Sequence, residues 1–242
     1  MDKEIRGVYD ADFIPFIVCH NRKGEEEKTL EECILQCDDI IANINTAIKC
    51  DTFVGFLTKG KCFRYNIYPE YKGNRKYLEM PKYMNEIKDY LISKYHFVFN
   101  SNYEADDFVL SYKTKYKDIN CIIISPDKDI INLEGSHYNP RSAEFRYTNK
   151  EEAEKYFWIS MMVGDTADNI KGIKGIGPVA ANKIISEVGL FDSLRATIMN
   201  KYCEIYGERE GIRQFYVNYY CLKIVDDIAP ILLEVELNNT ST

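Results

Sequence analysis

The sequence predicts an α/β fold in which a mostly parallel central sheet is flanked by helices and is followed by a C-terminal helical region. Short β-branched or aromatic runs alternate with longer segments in which apolar residues recur every three or four positions. This repeated strand–helix alternation is typical of parallel sheets. Acidic residues follow two of the predicted strands directly, and beyond about residue 149 the pattern is helical to near the end of the chain.

The first elements form a predicted β-α-β unit. Residues 5–9 predict a strand that ends at Asp10, and residues 52–57 predict the second strand. Between them, a helix is predicted from about Thr29 to Lys49, because its apolar residues share one helical face. Thr29 is a suitable N-cap, and Glu31 and Glu32 favour the first turn of the helix.

The later elements continue the alternation. Pro81 suits the start of a helix that runs to about Tyr95. The remaining predictions are a short strand at 96–99, a helix from Glu104 to about Tyr116, a strand at 121–125, an irregular or hairpin segment at 136–148, and a helix at 151–163 capped by Asn149. In such sheets, functional residues collect at the carboxyl ends of the strands.

Composition excludes several classes of protein. The 242 residues contain no apolar run approaching the roughly 20 residues that cross a bilayer, and the N-terminus lacks a signal-peptide pattern. We therefore expect a cytosolic protein without membrane contact, and a monomer. The eight scattered cysteines and three histidines argue against a zinc site, so the cysteines are expected to be reduced and mostly in the core.

Charge argues only weakly against nucleic-acid binding. Lys and Arg total 31 and Asp and Glu total 38, a balance of −7. Eight acidic residues lie near the ends of predicted elements, which is more negative charge than the whole net charge of −7, so the rest of the chain is near neutral. They are Asp10, Glu104, Asp106, Asp107, Asp127, Asp129, Asp165 and Asp168. If these ends converge, mutual repulsion raises the carboxylate pKa values unless divalent cations bind between them. Mg²⁺ or Mn²⁺ is the expected ion.

A glycine-rich turn follows Asp165 and Asp168 and is here called the glycine hairpin. Gly172, Gly175 and Gly177 allow positive φ or close backbone approach, and Pro178 suits the first position of a helix. The amides of that helix start can hold a phosphate, with Lys174 and Lys183 as further cations. The motif therefore predicts sequence-independent, salt-sensitive binding to a nucleic-acid backbone. The alternative is an ordinary αα-hairpin.

Together, these motifs resemble the 5′ nuclease superfamily, which includes the flap endonucleases, the 5′ nuclease domain of bacterial DNA polymerase I and the phage 5′ exonucleases. The resemblance covers most of the chain. It depends on Asp10 after the first strand, the segment Pro69 to Arg75, the E-A-D-D at Glu104, the S-x-D-x-D at Ser125, and the G-D-x-x-D-N-I at Gly164 with the glycine hairpin.

The resemblance implies a PIN-like nuclease core and two divalent ions. It implies that Asp10, Glu104, Asp106 and Asp127 lie nearer the first ion and that Asp129, Asp165 and Asp168 lie nearer the second, while Asp107 matches the second aspartate of E-A-D-D. It also implies that Lys72 and Arg75 stabilise the phosphate, that Tyr71 stacks on a base, and that a K⁺ ion binds at the glycine hairpin. The expected partner is duplex DNA with a 5′ end, nick or flap, or an RNA–DNA hybrid, with replication proteins as further partners.

Two departures from the family pattern concern the site. The family has a metal-binding aspartate after the second strand, whereas this chain has Leu57 and Thr58 there. The 28 residues between Arg75 and Glu104 leave little room for the family's helical arch, so a reduced or flexible arch is expected around Lys76 to Lys82 within residues 69–99. The loss of the aspartate predicts weaker ion binding.

The predicted organisation is a nuclease core at 1–163 and a helical duplex-binding region at 164–242, with the helix-turn-helix at 164–187. Asp12 is expected to be a helix or turn cap. The aromatic residues of the C-terminal helices are expected in the core rather than on bases, and residues 238–242 are expected to be disordered. The predicted function is a metal-dependent 5′ exonuclease or flap endonuclease. The alternatives are a DNA-binding protein with decayed catalysis and a PIN-type ribonuclease.

Overall fold

The computed structural model describes residues 4–21, 26–77, 79–117, 119–189, 191–226 and 228. The strands are β1 (Ile5–Asp10), β2 (Thr52–Thr58), β3 (Val98–Asn100), β4 (Asn120–Ile124), β5 (Gly135–Asn139), β6 (Glu144–Thr148), β7 (Gly164–Asp165) and β8 (Ile170–Lys171). The α-helices are α1 (Phe13–Cys19), α2 (Leu30–Ile48), α3 (Arg64–Ile67), α4 (Met84–Tyr95), α5 (Ala105–Lys115), α6 (Lys150–Val163), α7 (Pro178–Val188), α8 (Phe191–Tyr206) and α9 (Glu208–Leu222). Short 3₁₀ turns occupy Gly73–Tyr77 and Ile130–Asn132.

The chain forms two compact units. The first contains Met1–Gly60, Glu79–Thr148 and Val225–Thr242, and the second contains Lys61–Leu78 and Asn149–Ile224. These limits differ from the predicted division at residue 163. Helix α6 packs with α7, α8 and α9, because Trp158, Met161 and Met162 belong to the helical core of the second unit.

A six-stranded sheet organises the first unit, in the order β3-β2-β1-β4-β5-β6. Every neighbouring pair is parallel except β5 and β6, which form an antiparallel hairpin. The predicted α/β class is confirmed, and the segment 136–148 is a hairpin rather than irregular. Because β1, β2 and β4 are parallel, their carboxyl ends share one edge of the sheet. Asp10 ends β1, Asp127 and Asp129 follow β4, and Glu104, Asp106 and Asp107 follow β3, which is parallel to β2.

Helix α2 forms as the sequence predicted. Thr29 is its N-cap, and the Thr29 hydroxyl accepts the Glu32 amide while the Glu32 carboxylate accepts the Thr29 amide at 2.7 Å. This reciprocal capping box satisfies two amides that no helical carbonyl can reach. The face that contains Cys33, Cys37 and Ile41 is buried against the sheet core. The periodic apolar face and the capping box therefore predict the same position for the helix.

Several elements differ from prediction. Helix α1 is absent from the prediction for two reasons. Phe13–Cys19 is apolar at every position, so it shows no helical period, and it contains Pro15. Helix α3 is a single turn, and the predicted start of α4 at Pro81 is wrong, because Tyr83 adopts a left-handed conformation at φ 69° and the helix begins at Met84. The predicted strand at 96–99 lies at Val98–Asn100 instead. Around the predicted arch, the described residues form a 3₁₀ turn at Gly73–Tyr77 and then helix α4 from Met84, while residue 78 lies outside the described residues, and the reduced arch stays a prediction. The tail at 238–242 lies outside the described residues and also stays a prediction.

The second unit has its own core of helix side chains. Met161, Ile198, Tyr202 and Phe215 are fully buried there. The expectation that the C-terminal aromatics lie in the core holds for Tyr202 and Phe215. It is wrong for two others, Tyr216 and Tyr220, which are 36% and 49% exposed. They follow one another at a helical step of four, on the outer face of α9.

All eight cysteines are free thiols, and six of them are buried, as predicted. None of the helices described has the length and apolarity that crossing a bilayer requires.

Candidate functional site

Asp10 is a buried carboxylate at the end of the central strand β1. Only 9% of the residue is exposed, and its Oδ2 accepts the Ser125 hydroxyl at 2.9 Å. The same hydroxyl accepts the Asp127 amide at 3.0 Å. One hydroxyl therefore joins the end of β1 to the loop after β4. The structure thus brings together the two predicted positions Asp10 and Asp127.

The pKa of Asp10 is raised to about 8. Burial is the largest cause, and the nearby charges of Asp12 and Asp127 add to it. The Ser125 hydrogen bond and the backbone amide of Asp12 act in the opposite direction. A buried carboxylate beside two others is costly to ionise without a positive charge, so this edge of the sheet favours a cation.

Asp12 has a different role from the predicted cap. It occupies the N-cap position of α1, but its side chain makes no hydrogen bond to that helix. Its Oδ1 instead accepts the Thr58 amide at 2.9 Å and lies 3.4 Å from the Lys88 ammonium. The Thr58 hydroxyl in turn accepts the Ala105 amide at 3.0 Å. Asp12 thus supplies a carboxylate at the end of β2, where the sequence has none.

The E-A-D-D motif forms the start of α5. Glu104 is the N-cap and is 6% exposed, and the Asp106 Oδ1 accepts the Asp107 amide at 2.8 Å. Asp107 is fully buried; its Oδ2 accepts the Glu104 amide at 3.1 Å and its Oδ1 accepts the Val225 amide at 2.8 Å. Asp107 therefore caps the backbone at the start of α5, and its role as a metal ligand stays a prediction.

Asp127 and Asp129 lie in the loop after β4. The Asp127 Oδ1 accepts the Asp129 amide at 2.8 Å, which fixes a tight turn. Asp127 is exposed and Asp129 is half-buried. The turn leaves the Asp127 carboxylate accessible at the same edge as Asp10.

In the second unit, Asp165 and Asp168 flank the turn between the two short strands β7 and β8. Asp165 is 8% exposed, and its Oδ1 accepts the Ala167 amide at 2.7 Å. This hydrogen bond closes an Asx turn, a frequent role for aspartate between strands. Asp168 follows at the end of the turn, with its carboxylate partly exposed.

Three residues of the Pro69 segment contact Asp168. The Arg75 guanidinium lies 2.7 Å from Asp168 Oδ1, and the Lys72 ammonium lies 3.8 Å from its Oδ2. The Tyr71 hydroxyl donates to Oδ2 at 2.8 Å. Lys72 also has a positive φ of 52°, and its amide donates to the Asp168 carbonyl at 2.9 Å. The predicted cations thus bind a predicted metal ligand within one unit.

Tyr71 differs from its predicted role in base stacking. It is 2% exposed and packs edge-on against Tyr65, with ring centroids 5.4 Å apart. A buried ring with its hydroxyl committed to Asp168 cannot present a face to a base. Tyr71 instead orients the Asp168 carboxylate.

The glycine hairpin uses its glycines in three ways. A Cβ on Gly172 would lie 2.2 Å from the Val163 backbone, so only glycine fits there. Gly175 has a φ of +85°, which favours glycine. Gly177 has an ordinary φ of −97° and is the N-cap of α7, with Pro178 at the first helical position as predicted.

The exposed side of the hairpin is a helix start without a side-chain cap. Within the described part of the chain, the amides of Gly177, Val179 and Ala180 have no hydrogen-bond partner. Lys174 is exposed beside them, and Lys183 lies one turn further along α7, 3.8 Å from Glu187. Amides and cations of this kind suit a phosphate group.

The donors fit a hard divalent cation by their chemistry. The predicted ligands offer only carboxylate oxygens, which Mg²⁺ and Mn²⁺ prefer. Across the ranges that the structure describes, no three Asp, Glu, His or Cys side chains converge closely enough to hold a metal ion. The fit therefore depends on donor type and on the charge that Asp10, Asp12 and Asp127 share at one edge.

Residues 13–157 match the family model described as "5′-3′ exonuclease, N-terminal resolvase-like domain". A 5′-3′ exonuclease of Mycoplasmopsis pulmonis is 30% identical over 224 residues, which cover 82% of this chain and 71% of that protein. DNA polymerase I of Bacillus caldotenax is 26% identical over 227 residues, or 84% of this chain. The alignment spans only 24% of that polymerase.

Solved structures show the same fold. The flap endonuclease of bacteriophage T5, in a complex with DNA and metal ions, superposes with a TM-score of 0.73 at 20% identity and covers 97% of both chains. The T5 5′-exonuclease with bound zinc gives a TM-score of 0.69 at 21% identity, covering 90% of this chain and 91% of that chain. Both likenesses support the predicted PIN-like core.

Proposed function

Because the chain belongs to the 5′-3′ exonuclease family, we propose that it is a structure-specific 5′ nuclease. Its substrates are DNA duplexes with a 5′ end, a nick or a flap, and RNA primers on DNA are a second substrate. The reaction is hydrolysis of a phosphodiester. The observation that carries this proposal is the carboxylate edge of the first unit, where Asp10 and Asp127 meet at Ser125 and Asp10 has a raised pKa.

We propose that two divalent ions, Mg²⁺ or Mn²⁺, act in this reaction. The proposed ligands are Asp10, Glu104, Asp106, Asp127 and Asp129 in the first unit and Asp165 and Asp168 in the second. When bound, such ions activate a water and stabilise the leaving oxygen. Asp107 is a further proposed ligand, whose two oxygens each also accept a backbone amide. Asp12 adds charge to the same edge.

The cations of the Pro69 segment have a separate task. Arg75 is 49% exposed at its side chain, so it can contact a phosphate while it remains near Asp168. Lys72 is less exposed, at 19%, and is fixed by its left-handed backbone. We propose that both stabilise the negative charge of the scissile phosphate.

The glycine hairpin is proposed to bind the duplex backbone. Its uncapped amides and Lys174 contact phosphate without reading bases, so affinity is independent of sequence and falls with salt. The K⁺ ion predicted at this hairpin stays a prediction. Docking of a polymerase or another replication protein likewise stays a prediction.

The test uses a 5′-labelled flap, a nicked duplex and an RNA–DNA hybrid, each with Mg²⁺, Mn²⁺ or EDTA. We expect cleavage of the DNA substrates with either ion and none in EDTA. Asp127→Ala should abolish cleavage and leave duplex affinity intact, whereas Asp39→Ala, which removes an exposed carboxylate of α2, should cut normally.

The outcomes separate the two alternatives. Duplex binding without cleavage in both ions would show a DNA-binding protein with decayed catalysis. Cleavage confined to RNA strands would show a PIN-type ribonuclease. Either result would refute the proposed activity.

A further inference from the structure

Tyr206 contacts the backbone of the glycine hairpin from outside the hairpin sequence. It is the last residue of α8, and its hydroxyl accepts the Lys174 amide at 2.8 Å. The same hydroxyl donates to the Gly172 carbonyl at 3.2 Å. The Tyr206 hydroxyl therefore connects Gly172, where the turn begins, to Lys174, which is exposed.

The remaining anchors of the hairpin lie on its buried side. Ile173 is 3% exposed, and its amide donates to the Met162 carbonyl at 2.7 Å. The Ile176 amide donates to the Ile173 carbonyl at 3.0 Å. Among the described residues, Tyr206 is the one side chain that hydrogen-bonds the backbone of residues 174–177. On the exposed side of the hairpin, this hydroxyl is therefore the side-chain contact of the turn that precedes the amides of α7.

We propose that Tyr206 is a positioning residue for phosphate binding by the glycine hairpin. The inference rests on the proposed function of that hairpin. Backbone amides bind a phosphate well only when they are already aimed at it, because ordering a loop upon binding costs affinity. Tyr206 satisfies the Lys174 amide and fixes the turn, and so it presets the neighbouring amides at the start of α7.

Tyr202 offers a matched control one helical turn earlier. Its hydroxyl donates to the Met161 carbonyl and accepts the Asn218 side-chain amide at 2.7 Å. It is fully buried, and its ring centroid lies 6.1 Å from that of Tyr206. Tyr202 thus connects α6, α8 and α9 without a hydrogen bond to residues 172–177. Asn218 also donates to the Lys171 carbonyl at 2.7 Å, so removing the Tyr202 hydroxyl tests stability and the support of β8 while the Lys174 amide keeps its partner.

The experiment compares wild type, Tyr206→Phe, Tyr202→Phe and Lys174→Ala. The dissociation constant for a nicked duplex is measured in EDTA at several salt concentrations, and kcat and KM are measured in Mg²⁺. We expect Tyr206→Phe to raise Kd and KM by roughly five- to tenfold, the scale of one lost hydrogen bond, with kcat nearly unchanged. Hydrogen exchange at the Lys174 amide should become faster. Tyr202→Phe should lower Tm and leave Kd unchanged.

Two results would overturn the role of Tyr206 alone. One is wild-type Kd and KM in Tyr206→Phe while Lys174→Ala binds weakly. The other is an equal loss of affinity in Tyr206→Phe and Tyr202→Phe, which would indicate general destabilisation. Wild-type protein without duplex affinity, or Lys174→Ala with wild-type affinity at every salt concentration, would refute duplex binding by the hairpin itself.

Discussion

A single hydroxyl, that of Ser125, connects the acidic residues at the edge of the sheet. It donates to Asp10 and accepts from the Asp127 amide, so it fixes one carboxylate and the backbone of another at once. Loss of this hydroxyl would remove a hydrogen-bond donor from the buried Asp10 carboxylate, and leaving a buried acceptor without its donor costs folding free energy. The site therefore depends on a neutral residue as much as on its acids.

His137 predicts a pH dependence of stability. It lies buried on β5, and burial is the largest cause that lowers its pKa to about 4, with Lys113 and Arg146 adding to the effect. In the unfolded chain the value is 6.5. At this residue the unfolded state therefore binds more protons between pH 6.5 and 4, so the contribution of His137 to the free energy of unfolding falls as pH falls through that window. The full effect is about 3 kcal/mol, an upper estimate.

The measurement is denaturant unfolding from pH 4 to 7.5 for wild type and His137→Gln. The difference in unfolding free energy between wild type and His137→Gln should shrink as pH falls from 6.5 to 4, because the contributions of all other groups, Asp10 included, are common to both proteins. His20→Gln, which changes an exposed histidine, should show no such pH-dependent difference from wild type. Parallel curves for wild type and His137→Gln would contradict the assignment.

The sequence predicted which acidic residues lie near each other more accurately than what each one does. Asp10 and Asp127 could be placed together because both follow parallel strands. The capping role of Asp107 depends on the Val225 amide, 118 residues away, and the hydroxyl of Tyr71 binds Asp168, 97 residues away. Contacts this distant in the chain leave no local pattern, so sequence reasoning could not assign them.

At the scale of elements, local signals decided which helices were predictable. Helix α2 combines a periodic apolar face with a capping box, and both signals agree. Helix α1 has no polar face and contains Pro15, which is tolerated because it lies in the first turn. Helix α3 is held by Arg64, a buried side chain that donates to the Cys221 carbonyl at 3.0 Å. Its formation depends on the end of α9.

The start of α7 allows helix stability to be separated from phosphate binding. Gly177 is an N-cap with ordinary extended geometry, so Gly177→Asp should cap the helix and stabilise it by a few tenths of a kcal/mol. The new carboxylate would lie where the proposed function places a phosphate. We expect duplex affinity to fall by about tenfold or more, measured by fluorescence anisotropy.

Gly177→Asn is the matched control, because it is a similar cap without the charge. It should bind the duplex better than Gly177→Asp at low salt. Equal affinities of the two variants would mean that no phosphate approaches the start of α7.

At the scale of the whole molecule, net charge opposes DNA binding. The chain carries −7, so its long-range field repels a polyanion, and the proposed DNA binding must come from groups presented locally. The proposed contacts combine backbone amides with lysines, since helix amides attract phosphate without changing the net charge. A composition-based exclusion of nucleic-acid binding would have been wrong as an expectation for this family.

The double variant Glu31→Gln/Asp39→Asn tests this balance. Both residues are exposed on α2, and their neutralisation changes the net charge from −7 to −5. The association rate constant with duplex DNA should rise by about twofold at low salt, and the gain should vanish at high salt. Stopped-flow anisotropy measures the association rate constant at low and at high salt. Gln36→Glu on the same helix should slow association, and unchanged rates in both variants would contradict the effect.

Gly164 of β7 lies against Gly172, the residue that follows β8. A Cβ on Gly164 would lie 2.3 Å from the Gly172 amide, and a Cβ on Gly172 would lie 2.5 Å from the Gly164 amide. In each case the obstructing atoms belong to the main chain, so no change of side chain at one position can make room for a Cβ at the other. A second substitution therefore cannot compensate for the first. In a mutational library, single and double replacements at Gly164 and Gly172 should be depleted alike, and the two positions should not covary.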